Sequence, residues 1–241
     1  MSRVLINGGG SGTGADMARG FAAAGHEVVI TGRSMDRLAG VAGGAIRALT
    51  GDVGDPGSVA AMFRTAGPCQ IVIANAGIAE AAPFGKVTLE HWQRMIATNL
   101  TGVFLTFQQG LAQMGAGGRL IAISSITGIR GAAYATAYSA SKHGVMGLVR
   151  SLALEVARKG ITANAICPGY LDTEMTQRSI ANVMEKTGRT RDETIAAIAG
   201  RNPQARLIPP AEVTAAALWL ASPEAASVNG QAIVLDGGES A

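Results

Sequence analysis

The chain has 241 residues, 48% of them hydrophobic, which is enough for one domain with a substantial core and excludes a disordered protein. A net charge of +3 is spread without a basic run and aromatics make up only 4%, so no nucleic-acid surface is expected, only a mild attraction for anionic ligands. No apolar run reaches membrane-spanning length and no secretory leader precedes the first strand, so no membrane partner and a cytoplasmic location are expected.

Short β-branched runs recur at 4–6, 28–31, 46–49, 71–74, 120–123, 161–166 and 232–235. Helical stretches at 13–24, 34–42, 56–66, 88–114, 135–159 and 210–221 lie between or after them. Regular β-then-α alternation predicts an α/β fold over 1–241, a single domain with a doubly wound parallel sheet of about seven strands and helices on both faces. In such a sheet, ligands bind beyond the carboxyl ends of the strands. Residues 172–210 break the alternation, with no strand, many charges and several prolines, and are expected to form a partly helical lid over the substrate; a surface insertion is the alternative. Within it Met175, Ile180, Val183 and Met184 stand among Glu174, Arg178, Glu185 and Lys186, which predicts an apolar surface toward the site and a charged one toward water. Cys69 and Cys167 lack metal-ligand spacing and read as buried, reduced thiols. His26, His91 and His143 match no metal spacing either, so no metal is expected.

The first strand runs into NGGGSGTG, residues 7–14, where Gly8, Gly12 and Gly14 are spaced GxxxGxG at the start of a helix. Glycine permits a tight turn and close backbone approach to a pyrophosphate, which then faces the amides and dipole of a helix start. Gly8, Gly10, Ser11, Gly12, Thr13 and Gly14 are therefore candidate nucleotide contacts. The second strand ends in VVITGR, with Gly32 and then Arg33 where an NAD site would place an acid on the ribose. Arg33, with the Ser34 hydroxyl, points to a 2′-phosphate and favours NADP(H), worth roughly 1.5–3 kcal/mol or about one to two decades of preference. A solvated Arg33, or one stacked on adenine, leaves NAD(H) possible.

Residues 138–142 read YSASK, which puts Tyr138 and Lys142 on one face of a helix. Ser125 precedes the tyrosine by thirteen residues, Asn75, Ala76 and Gly77 follow the fourth strand, and Asn99 lies within TNLTGVF. Tyr134 has no lysine four residues on, and Ser124 fails the spacing to Tyr138.

Together these motifs resemble the short-chain dehydrogenase/reductase family nearly from end to end. The resemblance implies a Rossmann-type oxidoreductase that interconverts a secondary alcohol and a ketone, with Asn99, Ser125, Tyr138 and Lys142 as catalytic tetrad. It implies adenine contacts at Asp52 and Val53, a cofactor-side turn at Asn75 to Gly77, and further contacts at Pro168, Gly169 and Thr173. A cap for the helix that begins after Pro56 is the alternative role for Asp52. The final strand with its DGG, residues 234–238, completes the pattern. By resemblance Tyr138 exchanges the proton, Lys142 also holds the nicotinamide ribose, Ser125 binds the substrate oxygen, Asn99 organises a water path and Thr173 meets the carboxamide. Two departures, Asn7 for Thr and Thr13 for an aliphatic residue, keep the glycines, so altered local hydrogen bonding is expected; the turn also lacks the basic residue of many NADP-using members.

A free tyrosine titrates near 10, so a phenolate near neutral pH needs a shift of about 3 units, or roughly 4 kcal/mol. An ammonium about 4 Å away supplies that order at an effective dielectric of about 20, so Lys142 is expected to depress the Tyr138 pKa. The lid suits an apolar ketone, and the general pattern resembles 3-oxoacyl thioester reductases acting on carrier-protein or coenzyme A esters. A sugar, steroid or cyclic alcohol would leave the same motifs, and a non-catalytic nucleotide-binding regulator is the rival from another class. Helices around 100–114 and 145–157 carry apolar residues on more than one face, and with the family pattern they predict a homotetramer.

Overall fold

The computed structural model describes residues 1–241 throughout. Seven strands, β1 (Arg3–Asn7), β2 (Glu27–Gly32), β3 (Ile46–Thr50), β4 (Ile71–Ala74), β5 (Arg119–Ile123), β6 (Thr162–Pro168) and β7 (Ala232–Leu235), pair in parallel in the order β3-β2-β1-β4-β5-β6-β7. The order reverses between β1 and β4, so the crevice beyond Asn7 and Ala74 is the switch point at which such sheets bind ligands.

Alternate residues of each strand feed two cores, as a sheet buried on both faces requires. Val4, Ile6, Val28 and Ile30 pack under α1 (Gly12–Ala23) and α9 (Pro210–Ala221) with Phe21, Val213 and Leu220. Leu5, Val29, Val72 and Leu120 pack on the other face against Val59 and Phe63 of α3 (Pro56–Ala66), Phe107 of α5 (Gly102–Leu111), and Val145 and Val149 of α6 (Thr136–Val156). Cys69 and Cys167 are buried, free thiols, and burial pushes Cys69 up to about 11.

Two expected helices differ. The 34–42 stretch is only α2 (Met35–Ala39), which stops at Gly40. The 88–114 stretch is not one α-helix: α4 (Leu89–Ile96) opens on the Thr88 cap, passes through a π-helical segment at Ala97–Thr101, and continues as α5 to Leu111. A π turn admits one extra residue and often marks a functional position. Here it holds Asn99.

The 172–210 segment is partly helical, with α7 (Glu174–Thr187) and α8 (Arg191–Ala199), the latter opened by a Thr190/Glu193 capping box. Its two ends meet: the Asp172 amide donates to the Ile208 carbonyl and the Ile208 amide to the Tyr170 carbonyl, both at 2.9 Å. The apolar face of α7 is narrower than expected. Ile180 is fully buried and Val183 and Met184 are half-buried, but Met175 is exposed.

Candidate active site

The glycine turn is held by a side chain from the strand before it. Buried Asn7 accepts from the amides of Asn75 (2.7 Å) and Ala76 (2.6 Å) and donates to Thr106 Oγ1 (3.0 Å). Asn75 returns two bonds, from Nδ2 to the carbonyls of Asn7 (3.0 Å) and Gly8 (3.2 Å). The turn after β1 is thus fastened to the Asn75–Ala76–Gly77 turn after β4, across the switch point. Gly8 takes φ +66°, and a Cβ on Gly14 would stand 2.2 Å from the Gly8 carbonyl oxygen, so neither position accepts a side chain. Helix α1 starts at Gly12 with no side-chain cap from Ser11 and no acid in its first turn, and Thr13 behind it is buried. Its first amides are therefore available to an anion, as the nucleotide assignment of Gly8 to Gly14 requires.

The tetrad converges beside this turn. Ser125 follows β5 directly, and its Oγ accepts from the Thr127 amide at 3.2 Å, so it also caps a short 3-10 turn; its hydroxyl proton stays free, close enough to the Tyr138 phenol to ease its ionisation. Tyr138 and Lys142 lie one turn apart on α6, with Lys142 Nζ 5.7 Å from the phenol ring centroid. Nζ donates to the Ile123 carbonyl at 2.8 Å and stands 3.7 Å from a Cβ placed on Gly77. Lys142 therefore faces the cofactor-side turn from inside the fold. Asn99, wholly buried, accepts from the Ile78 amide (2.8 Å) and donates to the Ile78 carbonyl (2.9 Å) and Ser141 Oγ (3.2 Å). It braces α6 against the loop after Gly77.

The expected depression of the Tyr138 pKa is not what the protein groups produce. Burial pushes the phenol up to about 12, the nearby Ser125 hydroxyl opposes this only in part, and nearby Tyr170 and Cys167 add to the rise. Tyr138 keeps some surface open to solvent, but the phenol is the end that burial acts on. Lys142 does not counter it, because its ammonium is turned to the Ile123 carbonyl and burial lowers its own pKa to about 8.

The remaining assigned residues ring the same edge. Arg33 and Ser34 follow β2, both exposed, with Ser34 used as the α2 cap by accepting from the Arg37 amide at 3.4 Å. Asp52 does not cap α3, which Asp55 does; its carboxylate accepts from the Gly54 amide at 2.9 Å, and Val53 beside it is buried. Pro168 ends β6, Gly169 donates its amide to the Leu235 carbonyl, and Thr173 opens the lid with its Cγ2 3.5 Å from a Cβ on Gly12. Two open clefts flank the glycine turn, one of about 340 Å³ along Gly10, Ser11, Gly12 and Arg19, the other of about 640 Å³ under the first turns of α7. Neither reaches Tyr138.

A family model described as enoyl-(acyl carrier protein) reductase matches residues 8–240. Granaticin polyketide synthase putative ketoacyl reductase 1 of Streptomyces violaceoruber is 36% identical over 98% of this chain and 92% of its own. The chain belongs to the short-chain dehydrogenase/reductase family. Acetoacetyl-CoA reductase of Rhizobium meliloti is 39% identical over 99% of both chains, and D-beta-hydroxybutyrate dehydrogenase of the same organism 33% identical over 98% and 97%. A variant of actinorhodin polyketide ketoreductase solved with NADPH superposes with a TM-score of 0.92 at 33% identity, covering 99% and 97%. As a member of this family the chain is an NAD(P)-dependent oxidoreductase acting on hydroxyl or keto groups.

In this short-chain dehydrogenase/reductase the donor set fits the cofactor: a glycine turn without side chains, uncapped α1 amides, and a buried ammonium beside Gly77. Three features of the site escaped the sequence reading. Arg37 lies against Gly10 and pairs with Glu174 of the lid at 3.5 Å. Tyr134 takes φ +64°, unusual for an aromatic residue, while its carbonyl accepts from the Ala82 amide and ties two loops near the site. Tyr170 lies close enough to Tyr138 to raise its pKa. A positive φ and a lid contact have no local sequence signature.

Proposed function

We propose that the chain reduces a 3-oxoacyl thioester of acyl carrier protein or coenzyme A, or a similar apolar ketone, to the secondary alcohol. The cofactor is NADP(H), favoured by Arg33, with NAD(H) as the second option. The observation that carries this reading is that Asn99 Oδ1 and Lys142 Nζ both stand against Gly77, 3.3 and 3.7 Å from a Cβ placed there, on the turn fastened to the glycine turn by Asn75, with Tyr138 and Ser125 beside Lys142. The names of the relatives support the substrate class. When bound, the cofactor supplies the hydride that the carbonyl carbon accepts. Ser125 holds the carbonyl oxygen, and Tyr138 gives that oxygen its proton as charge develops there. A phenol pushed up to about 12 is fully protonated at neutral pH, which suits the reductive direction. Lys142 orients the cofactor from beside Gly77, Thr173 contacts it from the lid, and Asn99 relays solvent protons toward Lys142.

NADPH consumption across 3-oxoacyl thioesters and cyclic, steroid and sugar ketones separates these substrates; turnover confined to the last three would replace the thioester reading. Tyr138→Phe should keep cofactor binding by fluorescence titration and lose turnover, whereas retained turnover refutes its role. Tight cofactor binding without turnover on any ketone is the result expected of a nucleotide-binding regulator.

Trp92, Phe104 and Leu154 on α4, α5 and α6, and Trp219 and Val234 on α9 and β7, are exposed apolar side chains. Their burial between copies supports the homotetramer reading, and a monomer by light scattering would overturn it. A cytoplasmic location belongs to the same reading.

A further inference from the structure

We infer that Arg37 is a second cationic contact for the cofactor 2′-phosphate and that Glu174, its partner on the lid, competes for it, so phosphate binding and lid setting are coupled. This rests on the NADP(H) reading above and adds to it both a residue and a coupling.

Position is the first argument. A Cβ on Gly10 would stand 3.1 Å from Arg37 Cβ, so the arginine is rooted on the nucleotide turn itself. Residues 7–14 carry no charge, and Arg37 enters from α2, one turn after Arg33 and bonded through its amide to Ser34 Oγ. Arg33, Ser34 and Arg37 thus surround the place where the second strand meets the turn. Arg33 makes no ion pair, whereas Arg37 is held by Glu174.

The pairing itself is the second. Arg37 NH1 lies 3.5 Å from Glu174 Oε2 with the two side chains 55% and 60% exposed, a weak and screened contact. The same Oε2 accepts from Arg178 at 3.2 Å one turn along α7. Arg37 can therefore leave without stranding the carboxylate, and a phosphate dianion is the stronger partner.

Placement of the pair is the third. Arg37 and Glu174 line both clefts beside the turn, so their contact forms the partition between them. Glu174 is the first residue of α7, next to Thr173, whose methyl faces Gly12. Exchange of Arg37 from carboxylate to phosphate acts on the turn of the lid nearest the cofactor.

Calorimetric titration with adenosine 2′,5′-bisphosphate and with 5′-AMP tests this on the full chain, without turnover. The unsubstituted protein should prefer the bisphosphate, and Arg33→Met should erode that preference; no preference at all would overturn the NADP(H) reading and this inference with it. Arg37→Met should weaken the bisphosphate about tenfold, one charge-assisted contact, and leave 5′-AMP unchanged. Arg158→Met, which removes an exposed charge just beyond the end of α6, should leave both unchanged. Glu174→Gln should tighten the bisphosphate several-fold by removing the competitor. If the preference exists and falls with Arg33→Met but not with Arg37→Met, Arg37 is a lid strut only. If Glu174→Gln weakens the bisphosphate, the competition is refuted.

Discussion

Replacing Lys142 by Met should abolish turnover and change how stability depends on pH. The ammonium is 4% exposed, donates to the Ile123 carbonyl and has no carboxylate partner, and burial lowers its pKa from 10.5 to about 8. In the unfolded chain the same group holds its proton to 10.5, so folding favours the neutral amine. Stability from this group is present above pH 10.5, is lost as pH falls toward 8, and is wholly absent below 8. At about 1.4 kcal/mol per unit, the buried charge costs roughly 3 kcal/mol at pH 7. Met removes that cost but leaves the Ile123 carbonyl without its donor, a penalty of about 1–3 kcal/mol that does not vary with pH. The variant should therefore match or exceed the unsubstituted protein at pH 7. Urea unfolding of both proteins at pH 7, 8, 9 and 10 gives the decisive quantity, the difference between their stabilities, in which every shared group cancels. That difference should shift toward the unsubstituted protein by about 1 kcal/mol at pH 9 and about 2–3 kcal/mol at pH 10. A difference that stays flat across the range would refute a buried, destabilising ammonium.

Asn7→Leu leaves the Asn75 and Ala76 amides without an acceptor and should cost about 2–4 kcal/mol by urea unfolding, with weaker cofactor fluorescence because both turns loosen. Asn7→Thr, which restores one oxygen, should recover part of each loss. Gly14→Ala places a methyl 2.2 Å from the Gly8 carbonyl, so far-UV circular dichroism should stay close to that of the unsubstituted protein while cofactor affinity falls by at least about tenfold.

Much of the fold was legible because strand and helix periodicity are local properties. The bounds of β4, α3, α9 and β7 agree to the residue with the runs expected at 71–74, 56–66, 210–221 and 232–235. The π turn was not, since 88–114 has an unbroken helical period; the extra residue answers to hydrogen bonds from Asn99 to Ile78 and Ser141, distant in sequence. Similarly, Arg33 attracted attention as the residue that ends a strand motif, while the approach of Arg37 to Gly10 depends on how α2 packs. The Tyr138 and Lys142 pairing was readable from spacing. Their pKa directions depend on desolvation, which no spacing encodes, and that reversed the expected effect on the phenol.

The paired backbone bonds of Tyr170 and Asp172 with Ile208 have a consequence for how specificity is altered. Because entry and exit of the lid are clamped side by side at the end of β6, everything between is a closed excursion whose length barely changes the entropy of holding its ends. Residues 7–14, Asn99, Ser125, Tyr138 and Lys142 all lie outside that loop, and Thr173 stands at its threshold. The segment is thus an exchangeable cassette. A segment from another ketone reductase, spliced between Glu174 and Leu207, would leave the β6 end and residues 7–14 as they stand, which makes this hinge the natural seam for redesign.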